Sequence, residues 1–127
     1  MSFMSRSVPL IFQGEANECG LACVCMILNY FGNQSELASL RSAQGDGRPL
    51  SLEAISNLAE SYHLAVRSLR CEIEDLTKLQ LPVIAHVDFD HFVVIDRCSR
   101  NSLSLLDPAS GKLTASMKTF SNRFTGI

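Results

Sequence analysis

Charge of one sign does not accumulate in this sequence: 11 basic residues stand against 13 acidic ones, for a net charge of −2. A nucleic-acid binder would show a basic excess, so that class is excluded. Long hydrophobic runs are also missing. The longest uncharged apolar run, Gly20 to Leu28, has nine residues, whereas a membrane-spanning helix needs about 20. Met1 to Pro9 holds no signal-peptide hydrophobic core, which makes a cytosolic address the expectation. No C-x-x-C pair occurs among the five cysteines Cys19, Cys23, Cys25, Cys71 and Cys98. That removes the main support for a zinc ribbon or a dithiol redox motif, and an odd count argues against a disulfide framework. Repeats, low-complexity tracts and linkers are absent as well.

What is present fits one domain of 127 residues and 14.0 kDa. Apolar residues make up 46% and charged residues 19%, a balance that excludes intrinsic disorder. A mean hydropathy of +0.14 points to a well-buried core and to a docking surface.

The first clear element is a helix from Asn17 to Phe31, with Asn17 as N-cap and Gly32 as the stop. Leu21, Val24, Leu28 and Phe31 share one face, while Ala22, Met26 and Ile27 fill the others. A helix apolar nearly all round is a buried central helix. A short helix follows over Ser35 to Arg41, then a loop over Gln44 to Pro49. Ser51 caps an amphipathic helix whose inward face is Leu52, Ile55, Leu58 and Ala59. Leu64 to Arg70 reads as a strand, and Glu72 to Leu79 as one or two helical turns.

Antiparallel sheet accounts for the rest. Its strands are Pro82–Val87, His91–Asp96, Ser102–Asp107 and Lys112–Ser116, joined by turns at Asp88–Asp90 and Pro108–Gly111. Proline at the first position of a strand costs little, because its missing N–H is not yet needed. A final helical turn is expected over Met117 to Phe124. Helices first and strands after describe an α+β domain.

Counted from an Asn17 cap, Cys19 is the second residue of the buried helix. Free N–H groups and the positive end of the macrodipole favour an anion there and lower a thiol's pKa. Gly20 beside it leaves backbone room for a substrate. Cys23 and Cys25 lie deeper and lack that advantage. The competing reading makes Cys19 one more small buried hydrophobe. A metal site from Cys19 and Cys23 would need two further ligands, and no matching pair is visible.

A thiolate nucleophile works best with a general base that is itself held by a third group. If the strand from His91 pairs with the strand ending at Asp107 through a loop Cys98-Ser99-Arg100, then Arg97 faces Asn101, Ile95 faces Leu103, Val93 faces Leu105 and His91 faces Asp107. Four aliphatics are then buried together. An imidazole also meets a carboxylate at the open end of the hairpin, as a base and its orienter should. His86, mid-strand, is the rival base and reads more naturally as a core histidine. His63, at a helix end, reads as a surface or capping group. Gln13, six residues before Cys19, could offer its side-chain N–H to an oxyanion.

Taken in order, Gln13, Glu18-Cys19-Gly20-Leu21-Ala22, His91-Phe92-Val93-Val94 and Asp107-Pro108-Ala109 with Gly111 resemble the bacteriocin-processing peptidases. These are papain-like cysteine proteases at the N-terminus of peptidase-containing ABC transporters. The resemblance runs from about Pro9 to Gly126. It implies a papain-like α+β fold, with the cysteine at the head of a central helix and the His–Asp pair on a facing antiparallel sheet. It further implies cleavage of a leader peptide after a Gly-Gly (or Gly-Ala-like) pair on a bacteriocin- or microcin-type precursor, coupled to export. Carried over by position, Cys19 is the nucleophile, His91 the base and acid, and Asp107 the residue that orients His91. Gln13 completes an oxyanion hole with the Cys19 N–H.

The same resemblance makes residues 1–127 one peptidase domain of a larger exporter, at the cytoplasmic face of the membrane. Its partners would be the leader peptide and the transmembrane and ATPase portions. No cofactor is expected in the peptidase domain, ATP belonging to a separate nucleotide-binding domain. The alternative function is a docking domain that binds an export substrate without cutting it. A third reading is another papain-like activity such as deamidation or acyl transfer. The complete set Gln13, Cys19, His91 and Asp107 favours the enzyme, because a docking domain has no chemical use for it. A monomer is expected.

Overall fold

A computed structural model describes residues 7–44 and 47–127. Gly45 and Asp46 of the expected loop, and Met1 to Arg6 of the N-terminal segment, lie outside the described residues. Three helices come first: α1 (Cys19–Tyr30), α2 (Leu37–Gln44) and α3 (Leu52–Ser61). A 3₁₀ turn over Ile73–Lys78 leads to four strands, β1 (Val83–Val87), β2 (His91–Cys98), β3 (Ser102–Asp107) and β4 (Gly111–Ser116), and then to α4 (Met117–Ser121). The strands form one antiparallel meander in the order β1-β2-β3-β4. The α+β class expected from the sequence is the class observed.

Helix α1 is the central buried helix, packed on β2, α2 and α3. Nine of its twelve residues are buried, as its all-round apolar sequence demands. Its boundaries correct two expectations. Glu18, not Asn17, occupies the N-cap, so Cys19 is the first helical residue. Phe31 is the C-cap and 54% exposed rather than part of the inward face. Gly32 ends the helix as expected. At φ +92°, it lets its own N–H reach the Asn29 carbonyl and the Asn33 N–H reach Leu28, at 3.1 and 2.9 Å. That pair of bonds is the Schellman closure, which a left-handed glycine makes cheap. In α3, Ser51 Oγ accepts the Ala54 N–H at 3.1 Å, a cap worth about 1 kcal/mol. The α3 residues Ile55, Leu58 and Ala59 turn inward.

The sheet is covered on both faces. Phe92, Val94 and Leu106 join the cluster built around α1. On the other face, Ala85, Val87, Val93, Ile95, Leu103 and Leu105 pack with Leu76 of the 3₁₀ turn and Phe120 of α4. The expected β2–β3 register is displaced by two residues. Ile95 pairs with Leu105 and Val94 with Leu106. A bulge at Asp96 then shifts Arg97 onto Ser104 and Cys98 onto Leu103. The turn is also tighter than the three-residue loop expected, because the Ser99 N–H closes on the Ser102 carbonyl at 2.8 Å. An even displacement leaves every side chain on its face. The four aliphatics therefore still meet, but His91 is no longer directly opposite Asp107.

Leu64 to Arg70 forms no strand. Its alternation is real, and Leu64 and Val66 pack against the helical cluster. The outer edge of β1 is taken by the C-terminal segment instead. Val87 bridges Phe124, the His86 N–H donates to the Ile127 carbonyl at 2.9 Å, and the Thr125 N–H donates to His86 at 3.1 Å. Among the described residues, no helix is long and apolar enough to cross a membrane.

Candidate active site

Cys19 opens α1 where the first-turn N–H groups have no intrahelical acceptors. It is buried to 8% exposure at the floor of a cleft of about 930 Å³. Burial alone would raise its thiol. Hydrogen bonding from the His91 side chain, then from the Phe92 and Gly20 backbone, and the His91 charge outweigh burial, so the pKa is lowered. His91 responds in kind. Hydrogen bonding to Cys19 works against burial, and contact with Asp107 adds to it, so the imidazole is raised to about 9. Each group thus favours the charged form of the other, thiolate on Cys19 and imidazolium on His91.

His91 and Asp107 stand at the same end of the neighbouring strands β2 and β3. The displaced register makes their contact a diagonal one, which side chains of this length still span. His91 Nε2 lies 2.8 Å from Asp107 Oδ1. Asp107 is itself buried, and the same oxygen accepts the Ala109 N–H at 2.8 Å. That bond fixes the carboxylate through the tight turn that Asp-Pro begins. With Nε2 engaged by Asp107, Nδ1 is the ring nitrogen left for the thiol. The three residues expected to meet are adjacent in the structure, through a β2–β3 register displaced by two from the one expected.

The other sequence candidates fall differently. Gln13 sits in the loop before Cys19. Its Nε2 donates to the Glu15 and Ala16 carbonyls at 3.0 and 3.1 Å, and its Oε1 is buried without a partner. The Gln13 N–H donates to the Pro108 carbonyl at 3.0 Å, tying this loop to the turn that follows Asp107. His86 also lines the cleft, but its Nδ1 pairs with Thr125 Oγ1 at 2.8 Å and its ring packs on Phe92. Those contacts tie it to the C-terminal segment, whereas His91 is the imidazole that hydrogen-bonds Cys19. His63 is a capping residue after α3, left-handed at φ +71°. Gly20 does not open room for a substrate. A Cβ there would meet Ile55 Cδ1 at 3.0 Å and Leu50 Cβ at 3.4 Å, so the glycine serves the close packing of α1 on α3. No group of three or more metal-ligating side chains occurs among the described residues.

Several cleft features carry no signal in the sequence. Leu50 and Leu52 at the head of α3 form one wall. The opposite rim is Asp88-Phe89-Asp90, with Phe89 86% exposed. Asp88 holds that rim through a forked ion pair with Arg123, the shortest contact being 2.7 Å. Glu18 is buried beside the nucleophile and paired with Arg41.

A cysteine at the head of a buried helix, an imidazole on the facing sheet and a carboxylate behind it, on an α+β frame, are the arrangement that a cysteine peptidase requires. The chain belongs to the Peptidase C39 family, whose model matches residues 7–127. It is 42% identical over 123 residues to the colicin V secretion/processing ATP-binding protein of Escherichia coli, covering 96% of this chain and 18% of that protein. The chain thus spans less than a fifth of the curated relatives it first matches. Among solved structures it superposes on a double glycine motif protease from an AMS/PCAT transporter, crystallised with the leader peptide. The TM-score is 0.88 at 34% identity, over 95% of this chain and 88% of that one. The peptidase domain of Streptococcus ComA shares the fold, with a TM-score of 0.83 at 22% identity over 94% of each chain.

Proposed function

We propose that this domain is a leader peptidase that cuts a secreted peptide precursor after a Gly-Gly pair, as part of an ABC exporter. The observation that carries the reading is the Cys19–His91–Asp107 chain lining a cleft of about 930 Å³. In the proposed reaction the Cys19 thiolate attacks the carbonyl carbon of the second glycine. Negative charge develops on the carbonyl oxygen, where the Cys19 N–H donates to it; Gln13 Nε2 joins only by giving up one of its bonds to the Glu15 and Ala16 carbonyls. His91 passes its proton to the departing amine, leaving a thioester on Cys19. His91 then takes a proton from water, which attacks the thioester and releases the leader. Asp107 holds the ring for both transfers.

The relatives' names, which join secretion, processing and ATP binding, support the exporter context. The partners are then the leader and the transmembrane and ATPase portions. The peptidase works at the cytoplasmic face, where the precursor is made, and needs no cofactor of its own. Residues 1–127 act as one domain of that assembly.

Selection of glycine follows from a narrow slot at the scissile bond, which a larger side chain cannot enter. Leader binding is remote from the cut, with an amphipathic helix anchoring at i, i+3, i+4 and i+7 on apolar surface. The test is kcat/KM for a full precursor against a short peptide carrying only the Gly-Gly site. The full leader is expected to be processed faster, and equal rates would remove the remote-docking half of the reading.

A further inference from the structure

Glu18 is an unusual residue to find where it is. The N-cap favours a short side chain that folds back onto the first-turn N–H groups, as Ser, Thr, Asn and Asp do. Glu18 makes no such bond to its own helix. Its carboxylate turns the other way, although it is only 7% exposed. Oε1 accepts the Gly14 and Glu15 N–H groups at 3.0 and 2.9 Å. The Arg41 guanidinium from α2 closes a fork on both oxygens, through Nη2 to Oε1 at 2.9 Å and through Nε to Oε2. Each of these bonds leads away from α1.

Gly14 is shaped to that arrangement, since a Cβ there would come within 2.6 Å of Arg41 Nη2. The loop so gripped runs from Gln13 to Glu18, and its far end is bonded to Pro108 beside the Asp107 turn. The clamp thus spans the stretch between α2 and the β3–β4 turn that presents Cys19. It holds Glu18 ionised well into acid, at a pKa of about 2, even though burial opposes the charge. Hydrogen bonding to Arg41 outweighs burial, and the Glu15 and Gly14 amides assist.

We propose that the Glu18–Arg41 pair is a positioning device for the nucleophile: it holds the N-cap carboxylate away from the first-turn amides of α1 and cancels its charge beside Cys19. Two consequences follow. The helix-head amides stay free for the thiolate and for the substrate oxyanion. The thiolate also gains no unpaired negative neighbour, which would raise its pKa. The ionisable and charged groups around this corner are His91 and Asp107 from the sheet, Cys23 from α1, Glu15 in the loop, and Arg48 across the hollow lined by Glu18 and Arg41. None of these adjoins Cys19 in the chain; Glu18 does, and it carries a charge that the reaction does not use.

This inference rests on Cys19 being the nucleophile of the proposed reaction, and its test separates the two. Cys19 alkylation by iodoacetamide, followed by peptide mapping from pH 4 to 10, needs no leader. The variants are Arg41→Met, Arg41→Lys and the double variant Glu18→Gln with Arg41→Met. Arg41→Met leaves the carboxylate unpaired, and the alkylation profile of Cys19 is expected to move up by about one pH unit. With a Gly-Gly precursor, kcat falls about tenfold or more while KM stays within about twofold. Removing the charge as well, in the double variant, returns the profile toward the original, which a merely structural role would not do. Arg41→Lys keeps the cation but not the fork, so its profile holds while kcat drops; it also serves should Arg41→Met not fold. The proposal is overturned if Arg41→Met and Arg41→Lys leave both the profile and kcat unchanged. It is equally overturned if the double variant shows no return. A shifted profile in a protein that cuts no Gly-Gly precursor would sink the substrate reading and leave the positioning role standing.

Discussion

Two cysteines one helical turn apart on α1 behave in opposite ways. Cys19 is at the helix head, with His91 against it and the Phe92 backbone amide within reach, and its thiol is lowered. Cys23 is fully buried, and burial, with the charges of Cys19 and Asp107 behind it, pushes its thiol well up. Cys25, Cys71 and Cys98 are also raised, each chiefly by burial. Nothing intrinsic to the residue separates them. Position does: the helix head offers free N–H groups, a cationic neighbour and an opening to the cleft, while the middle of the helix offers only apolar packing.

The largest way to break this contrast is to remove the imidazole. His91→Ala should lower kcat/KM for a Gly-Gly precursor by about 10³-fold or more and slow Cys19 alkylation toward that of an ordinary thiol. Asp107→Asn leaves the ring but loses its orienting charge, with an expected loss on the order of 10²–10⁴-fold. His86→Ala serves as the control. It should unfasten the C-terminal segment and lower Tm, while kcat stays within about tenfold of the parent. A dead His86→Ala beside an active His91→Ala would reverse the base assignment.

Much of this was legible in the chain because the signals were local. An all-apolar helix headed by a cysteine, a serine cap at Ser51 and alternating strands after Pro82 each depend on residues close in sequence. His91 and Asp107 could be paired from strand alternation alone, because a register error of two preserves the face. What escaped depends on contacts distant in sequence. The Asp96 bulge reflects how both sheet faces fill. Leu64 to Arg70 alternates like a strand yet finds its apolar partners on the helices. Glu18 entered only as the start of the Glu18-Cys19-Gly20 run, and nothing local announces that Arg41, on another helix, would pair with it.

Smaller effects sharpen the contrast through pH. Because His91 is raised to about 9, the imidazolium persists through neutrality, and activity should fall as pH rises through about 9. The acid limb follows the lowered Cys19 thiol. Initial rates from pH 4 to 10 check both limbs, and an alkaline limb near 6.5 would mean that His91 is unperturbed. Glu18 acts on stability with the opposite sign. Its folded pKa is depressed from 4.5 to about 2, so its contribution is present above 4.5 and is lost as pH falls toward 2. Glu18→Gln should therefore flatten the decline of stability across that interval, read by circular dichroism during acid titration. An unchanged decline would place the acid-sensitive charge elsewhere.

The central claim is that one thiolate, at the head of α1, cuts the peptide bond. Mass spectrometry of a Gly-Gly leader precursor incubated with the protein and with Cys19→Ala tests it most directly. The account predicts a single cut after the second glycine by the parent, and an intact precursor with a Cys19→Ala protein of unchanged circular dichroism. A precursor cut as well by Cys19→Ala, or left whole by the parent, would contradict it.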